Sequence, residues 1–282
     1  MLIMVGADES EAGRHALRWA LGIGARAGAR IEAVRSWTYT PTLLRQLASH
    51  EAMDRHTAAD LRAMVDEEAG ANNEVRKTVL RGPAHYALLA LIHRRSPFCV
   101  VVGRRGDERI TPRVMGSVSR RLVAAAPCPL VVVSSEDVPS RPDRFDEPLI
   151  MVGYDGSAHA ERALEWATEL AAETGGRLLV ARVLGFAAMD AAVHMHDDAD
   201  KELADLAFRV TDKGVRCDGV VAWGDPRQEL ERIADEQQAD LLVIGPRGEG
   251  ALTKIVLGTV ASYLTEHADR PVAVVPPATD GP

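Results

Sequence analysis

Apolar runs of four or five residues, such as LIMVG at 2–6, alternate along this chain with longer segments whose apolar positions recur at helical spacing. Runs of that length bounded by turns predict buried strands. Between Ser157 and Gly175, the residues Ala160, Ala163, Leu164, Ala167, Leu170 and Ala171 fall on one helical face, with Ser157 placed as N-cap and Gly175 and Gly176 as the stop. The strand RLLVARVL follows, then a helix around KELADLAFRV, the run VRCDGVVAWG and a helix around PRQELERIADEQQ. The strand DLLVIG, a glycine-bearing segment, a further helix and PVAVV complete the course. Strands that alternate with helices predict a parallel sheet covered on both faces, joined by right-handed crossovers: a doubly wound α/β fold.

The pattern occurs twice. MVGADESEAGRHALRWA near the start returns as MVGYDGSAHAERALEWA from Met151, matching Asp8 to Asp155 and Trp19 to Trp166 at an offset of 147 residues. VVVGRRGDERITPRVMGSVSRRLVAAAPCPLVVV returns as LVIGPRGEGALTKIVLGTVASYLTEHADRPVAVV at an offset of 142, which already holds at Gly82 and Gly224. The first copy therefore carries extra length before Gly82, around TYTPTLLRQLASHEAM. These repeats predict tandem domains at 1–135 and 148–277, joined by a polar, proline-bearing linker at 136–147.

A chain of 282 residues is long enough for two cores, and 46% hydrophobic with 26% charged residues is ordinary for a folded protein. The net charge of −8 supplies no global basic field for nucleic acid or an anionic membrane. No apolar stretch approaches the roughly 18 residues of a membrane span. Cys99, Cys128 and Cys217 lack metal or disulfide spacing and read as small buried hydrophobes in a reducing compartment. With no secretory pattern at its start, the chain reads as cytoplasmic. His194 and His196, two apart, point to different sides of a helix, which disfavours a metal site.

Gly103, Gly106, Gly116 and Ser117 share their spacing with Gly245, Gly248, Gly258 and Thr259, after the fourth strand of each copy. Each set is either a glycine turn with an ordinary N-cap or a phosphate cradle. Glycine admits positive φ and close ligand approach, and the following helix start presents unpaired amides and a positive dipole end. The exact recurrence favours the cradle. Asp8 and Asp155 end the first strands, so they should face the same crevice beyond the carboxyl ends of the sheet.

With these residues in view, both halves resemble universal stress protein domains of the ATP-binding kind, arranged in tandem. The resemblance covers nearly the whole chain, through the VGxDGS-like start, the ALxWA helix, the glycine–proline turns at Gly82 and Gly224, the glycine motif and the terminal strand. It implies a Rossmann-like, five-stranded parallel sheet akin to the adenine nucleotide alpha hydrolases. It also implies ATP, with or without magnesium, as the bound cofactor and adenine nucleotide as the partner, in a regulatory stress-response role with at most slow hydrolysis. Asp8 and Asp155 would contact adenine and ribose, and the backbone near Val34 and Val183 would contact adenine. Gly103, Gly106, Gly116, Ser117, Val118 and Ser119 would hold phosphates in the first half; Gly245, Gly248, Gly258, Thr259 and Val260 would do so in the second. The final strands PLVVV and PVAVV would pair, making the halves a pseudo-dimer or two chains a homodimer. No Gly-x4-Gly-Lys-Ser/Thr loop or Gly-x-Gly-x-x-Gly turn is present, so a Walker or dinucleotide site is not expected.

Each half departs from the family pattern. Glu9 replaces the glycine of DGS in the first half, putting an anion beside the expected ribose position. Ser119, a second hydroxyl after the motif, becomes Ala261 in the second half. From 103 to 121, Arg104, Arg105, Arg109, Arg113, Arg120 and Arg121 oppose Asp107 and Glu108. Between 245 and 263, Arg247 and Lys254 oppose only Glu249. The first half is therefore expected to rely more on arginine for an anion. The competing reading is a nucleotide-independent scaffold with one or both pockets vestigial.

Overall fold

A computed structural model describes residues 1–38, 50–71, 73–104, 115–134, 147–185, 189–248 and 257–277. The chain separates into two compact units, Met1–Val138 and Pro139–Pro282. Among the described residues no helix is long and apolar enough to cross a membrane.

The first unit runs β1 (Leu2–Gly6), α1 (Glu11–Arg26), β2 (Arg30–Trp37), α2 (His50–Ala69), β3 (Arg76–Arg81), α3 (Ala84–Arg95), β4 (Cys99–Gly103), α4 (Ser117–Ala125) and β5 (Leu130–Val133). The second runs β6 (Leu149–Gly153), α5 (Ala158–Thr174), β7 (Arg177–Leu184), α6 (Met189–Thr211), β8 (Arg216–Trp223), α7 (Pro226–Glu236), β9 (Leu241–Ile244), α8 (Thr259–His267) and β10 (Val272–Val274). Within the first unit the strand order is 3-2-1-4-5, and within the second it is 8-7-6-9-10, with every pairing parallel. Each unit is thus the five-stranded, doubly wound α/β sheet that the alternating pattern predicts.

Local signals explain the boundaries. The Ser10 and Ser157 hydroxyls accept the amides of Gly13 (3.0 Å) and Ala160 (3.1 Å), so both opening helices start on a side-chain cap. Gly175 ends α5 in the left-handed region at φ 67°, where a side chain would be strained. The predicted face of α5, from Ala160 to Ala171, is buried, and Trp19 and Trp166 are each almost fully covered. In the first unit α3 and α4 lie over Met4, Val34, Val100 and Val102, meeting them through Leu88, Ile92 and Leu122.

This order places the site. From β1 the chain moves to one side for β2 and β3, then crosses back for β4 and β5. The crevice opens where those two directions diverge, beyond the carboxyl ends of β1 and β4, and likewise of β6 and β9.

Candidate functional site

A cleft lies at that point in each unit, about 550 Å³ in the first and about 390 Å³ in the second. Asp8, Val34, Gly103, Gly116, Ser117, Val118 and Ser119 all line the first. Asp155, Val183, Gly245, Gly248, Gly258, Thr259 and Val260 all line the second. Gly106 lies outside the described residues, as do Arg105, Arg109, Arg113 and Lys254 of the charge comparison.

The glycines act by proximity rather than by unusual dihedrals. Gly116 and Gly258 are extended N-caps at φ −62° and −65°. A Cβ on Gly103 would stand 2.7 Å from the Ala12 carbonyl carbon, and one on Gly245 would stand 2.8 Å from the His159 Cβ. The opening helix of each unit therefore passes directly over the end of the fourth strand. A Cβ on Gly248 would lie 2.5 Å from Asp155 Oδ2, so the bare backbone of the motif rests against that carboxylate.

On either side of each motif segment the described residues are joined by a backbone bond. Gly116 donates its amide to the Arg104 carbonyl (2.8 Å), and Gly258 donates to Pro246 (2.7 Å). The next three amides, of residues 117–119 and 259–261, have no acceptor within their own helix, and those residues line the clefts. Ser117 and Thr259 are the first residues of their helices, after the caps Gly116 and Gly258, and both are exposed. Ser119 does something else: its buried hydroxyl donates to the carbonyls of Gly103 (2.9 Å) and Arg104 (3.1 Å), bracing α4 against β4.

The chain's relatives agree with this architecture. The sequence model of the Universal stress protein family matches residues 1–134 and again 149–276. The chain belongs to the universal stress protein family. It is 27% identical to a universal stress protein of Mycolicibacterium smegmatis, across 98% of this chain and 97% of that one. It is 28% identical to universal stress protein Rv2623 of Mycobacterium tuberculosis, across 96% and 95%. The crystal structure of a universal stress protein from Archaeoglobus fulgidus superposes with a TM-score of 0.74 at 20% identity, covering 98% of both chains, and so shares the fold.

Within this universal stress protein the two clefts are built differently. Val34 pairs in register with Gly6, and Ala181 pairs with Gly153, so Val34 and Ala181 are the equivalent positions. Ser36 and Val183 form the next equivalent pair, opposite Leu80 and Ala222. The expected correspondence of Val34 with Val183 is therefore corrected by one step along the cleft face. Sequence reasoning also missed the walls supplied by α3 and α7, Ala84 and Leu88 against Pro226 and Leu230. Their signal was present, since the glycine–proline turns at Gly82 and Gly224 start those helices at the crevice.

Charges differ as well. Glu9 does not stand free beside Asp8: its carboxylate takes the Arg35 guanidinium at 2.6 Å, and that bond holds the Glu9 carboxyl below its usual range. Arg182, the counterpart of Arg35, pairs with Glu202 of α6 at 3.0 Å. Gly156 takes φ 83°, whereas Glu9 does not enter the left-handed region, so the two turns follow different paths. Burial pushes the Asp8 carboxyl above its ordinary value, against the opposing pull of the Ser10 hydroxyl and amide and of Arg35. Its Oδ1 accepts both of those Ser10 groups. In the second unit Tyr154, where the first has Ala7, donates to Glu161 (3.1 Å), and burial followed by that carboxylate pushes its phenol up to about 12. Of the two histidines weighed for metal, His196 stacks on Trp223 and faces Asp200 at 3.5 Å, while His194 is exposed.

Proposed function

We propose that each unit binds one adenine nucleotide, ATP with or without magnesium, and that occupancy regulates a stress response by changing which surfaces the protein presents. The observation that supports this most directly is the convergence, in one cleft per unit, of a strand-end aspartate, an apolar strand edge and the open amides of a helix start.

Sheet order gives the ligand an orientation. Phosphate oxygens belong at the start of α4 or α8, where amides and dipole are favourable to anions. The ribose then falls at Asp8 or Asp155, after the neighbouring strand, and the base at the β2 or β7 edge. Adjacent strands are about 4.8 Å apart, so this path spans on the order of 10 Å. Leu88 and Val34, or Leu230 and Val183, offer the base an apolar wall.

Isothermal titration of the purified chain with ATP tests the reading, alongside Ser117→Glu, Thr259→Glu and the double variant. Glutamate at the first position of a helix suits the dipole and both sites are exposed, so folding is preserved while an anion occupies the phosphate position. Two binding events should fall to one in each single variant and to none in the double. Absence of heat with the parent chain, after checking that no copurified nucleotide fills it, would establish the scaffold reading instead.

A further inference from the structure

The two clefts differ at the carboxyl end of the second strand of each unit, where the proposed orientation puts the base. Ser36 lines the first cleft and Val183 lines the second, at equivalent register and on the same face of their strands. Both are half-buried. Among the described residues the Ser36 hydroxyl makes no hydrogen bond, unlike that of Ser119, which is committed to two carbonyls. It is a polar group turned into a cleft with its hydrogen-bonding capacity unspent.

We infer that Ser36 makes the first cleft tolerant of different purine bases, while Val183 makes the second cleft strict. This rests on the reading of the clefts as nucleotide sites. Ser36 and Val183 lie past Val34 and Ala181, the last residues of their strands paired with β1 and β6. A strand backbone that outruns its neighbour presents donors and acceptors in a fixed order, so it accepts either a 6-amino or a 6-keto purine edge and mismatches the other. A serine hydroxyl rotates and both donates and accepts, so it offsets such a mismatch. Valine offers neither function, and a misread polar group beside it is left desolvated without a partner. A site that leaves polar groups unpaired rejects the wrong ligand far more strongly than one that merely fits it less well.

The lining around each position points the same way. Both positions share an apolar surround, Val34, Ala84 and Leu88 in the first cleft and Ala181, Pro226 and Leu230 in the second, but Arg35 also lines the first cleft whereas its counterpart Arg182 does not line the second.

ATP and GTP titrated into the full chain decide the matter. Thr259→Glu isolates the first cleft and Ser117→Glu the second, with thermal melts confirming that each variant is folded. The ratio of GTP to ATP dissociation constants should be about tenfold or more larger in the second cleft than in the first. Adding Ser36→Val to the first-cleft protein should raise its ratio to the second cleft's value, and Val183→Ser should lower the second's. Equal ratios in the two clefts, or a ratio unmoved by both exchanges, would overturn the inference while leaving nucleotide binding intact. No binding of either nucleotide by the parent chain would overturn the nucleotide reading, and this inference with it.

Discussion

Arg14 on α1 and Glu161 on α5 occupy equivalent positions in the two units, carry opposite charge and each find the opposite partner on the following helix. Arg14 pairs with Glu67 at 2.7 Å and also reaches Glu68 at 3.2 Å, while Glu161 pairs with Arg209. If α1 docked on α6, Arg14 would meet Arg209; if α5 docked on α2, Glu161 would meet Glu67. Two similar repeats in one chain are prone to such exchanges during folding, and the inverted pairs penalise them.

Exchanging Arg14 and Glu67 with each other removes that penalty. Made on a Glu68→Gln background, because Arg14 also reaches that largely buried carboxylate, the Arg14→Glu, Glu67→Arg protein should keep a denaturant midpoint close to that of Glu68→Gln alone, since surface ion pairs contribute only about 0–1 kcal/mol. Its refolding yield after dilution from denaturant should fall, and light scattering during refolding should rise. An unchanged yield would show that the inverted charges do not guide assembly.

The open amide at the head of α4 gives a second prediction. Ser117 is the first residue of the helix and Gly116 before it sits at φ −62°, ψ 158°, a conformation compatible with a following proline. Compared with Ser117→Ala, which removes only the hydroxyl, Ser117→Pro therefore deletes one further group, the amide hydrogen, while leaving the helix start undisturbed. ATP affinity of the first cleft should fall about tenfold to a hundredfold, the worth of a hydrogen bond to a charged group. Adenosine affinity should hold within a few-fold. Equal losses for both ligands would place the phosphates elsewhere.

Glu9 controls the charge of Arg35. Glu9→Gln leaves that guanidinium without its carboxylate, so ATP should bind the first cleft more tightly and with a steeper dependence on salt. Thr259→Glu as the background keeps the second cleft out of the titration. The pair also has a pH signature. Because the folded carboxyl titrates below its unfolded value, its stabilisation is present above about 4.5 and is lost as pH falls through the lower, folded value. Melting the parent and Glu9→Gln across that range should show their difference shrinking toward acid.

Asp8 has the opposite sign. Burial raises its pKa, so folding takes up a proton between the unfolded value near 3.8 and the higher folded one, and stability falls as pH rises through that window. Asp8→Asn should therefore raise the first unit's melting temperature at pH 7 more than at pH 3, while weakening nucleotide binding to the first cleft. A strained carboxylate that destabilises its own domain is the kind of group function retains.

Much of this was readable in the chain because each signal was local or repeated. The capping serines, the helical face from Ala160 to Ala171 and the glycine spacing each concern residues within a few turns of one another, and duplication doubled the contrast. The rest depended on distant contacts. Glu9 looks like a misplaced anion until Arg35, on the neighbouring strand, is seen to hold it. Ser119 reads from its spacing as a phosphate ligand, and only the fold shows that its hydroxyl also bonds the carbonyls at the end of β4. Val34 and Val183 share a side chain but not a register, and a strand edge read through its backbone is indifferent to that likeness.

The bond from the Gly116 amide to the Arg104 carbonyl has a consequence for how this site can change. That bond ties the start of α4 to the end of β4, and the bond from Gly258 to Pro246 does the same for α8 and β9. The floor of each cleft is therefore fixed by residues on either side of the intervening sequence, and substitutions between those anchors can accumulate without moving it.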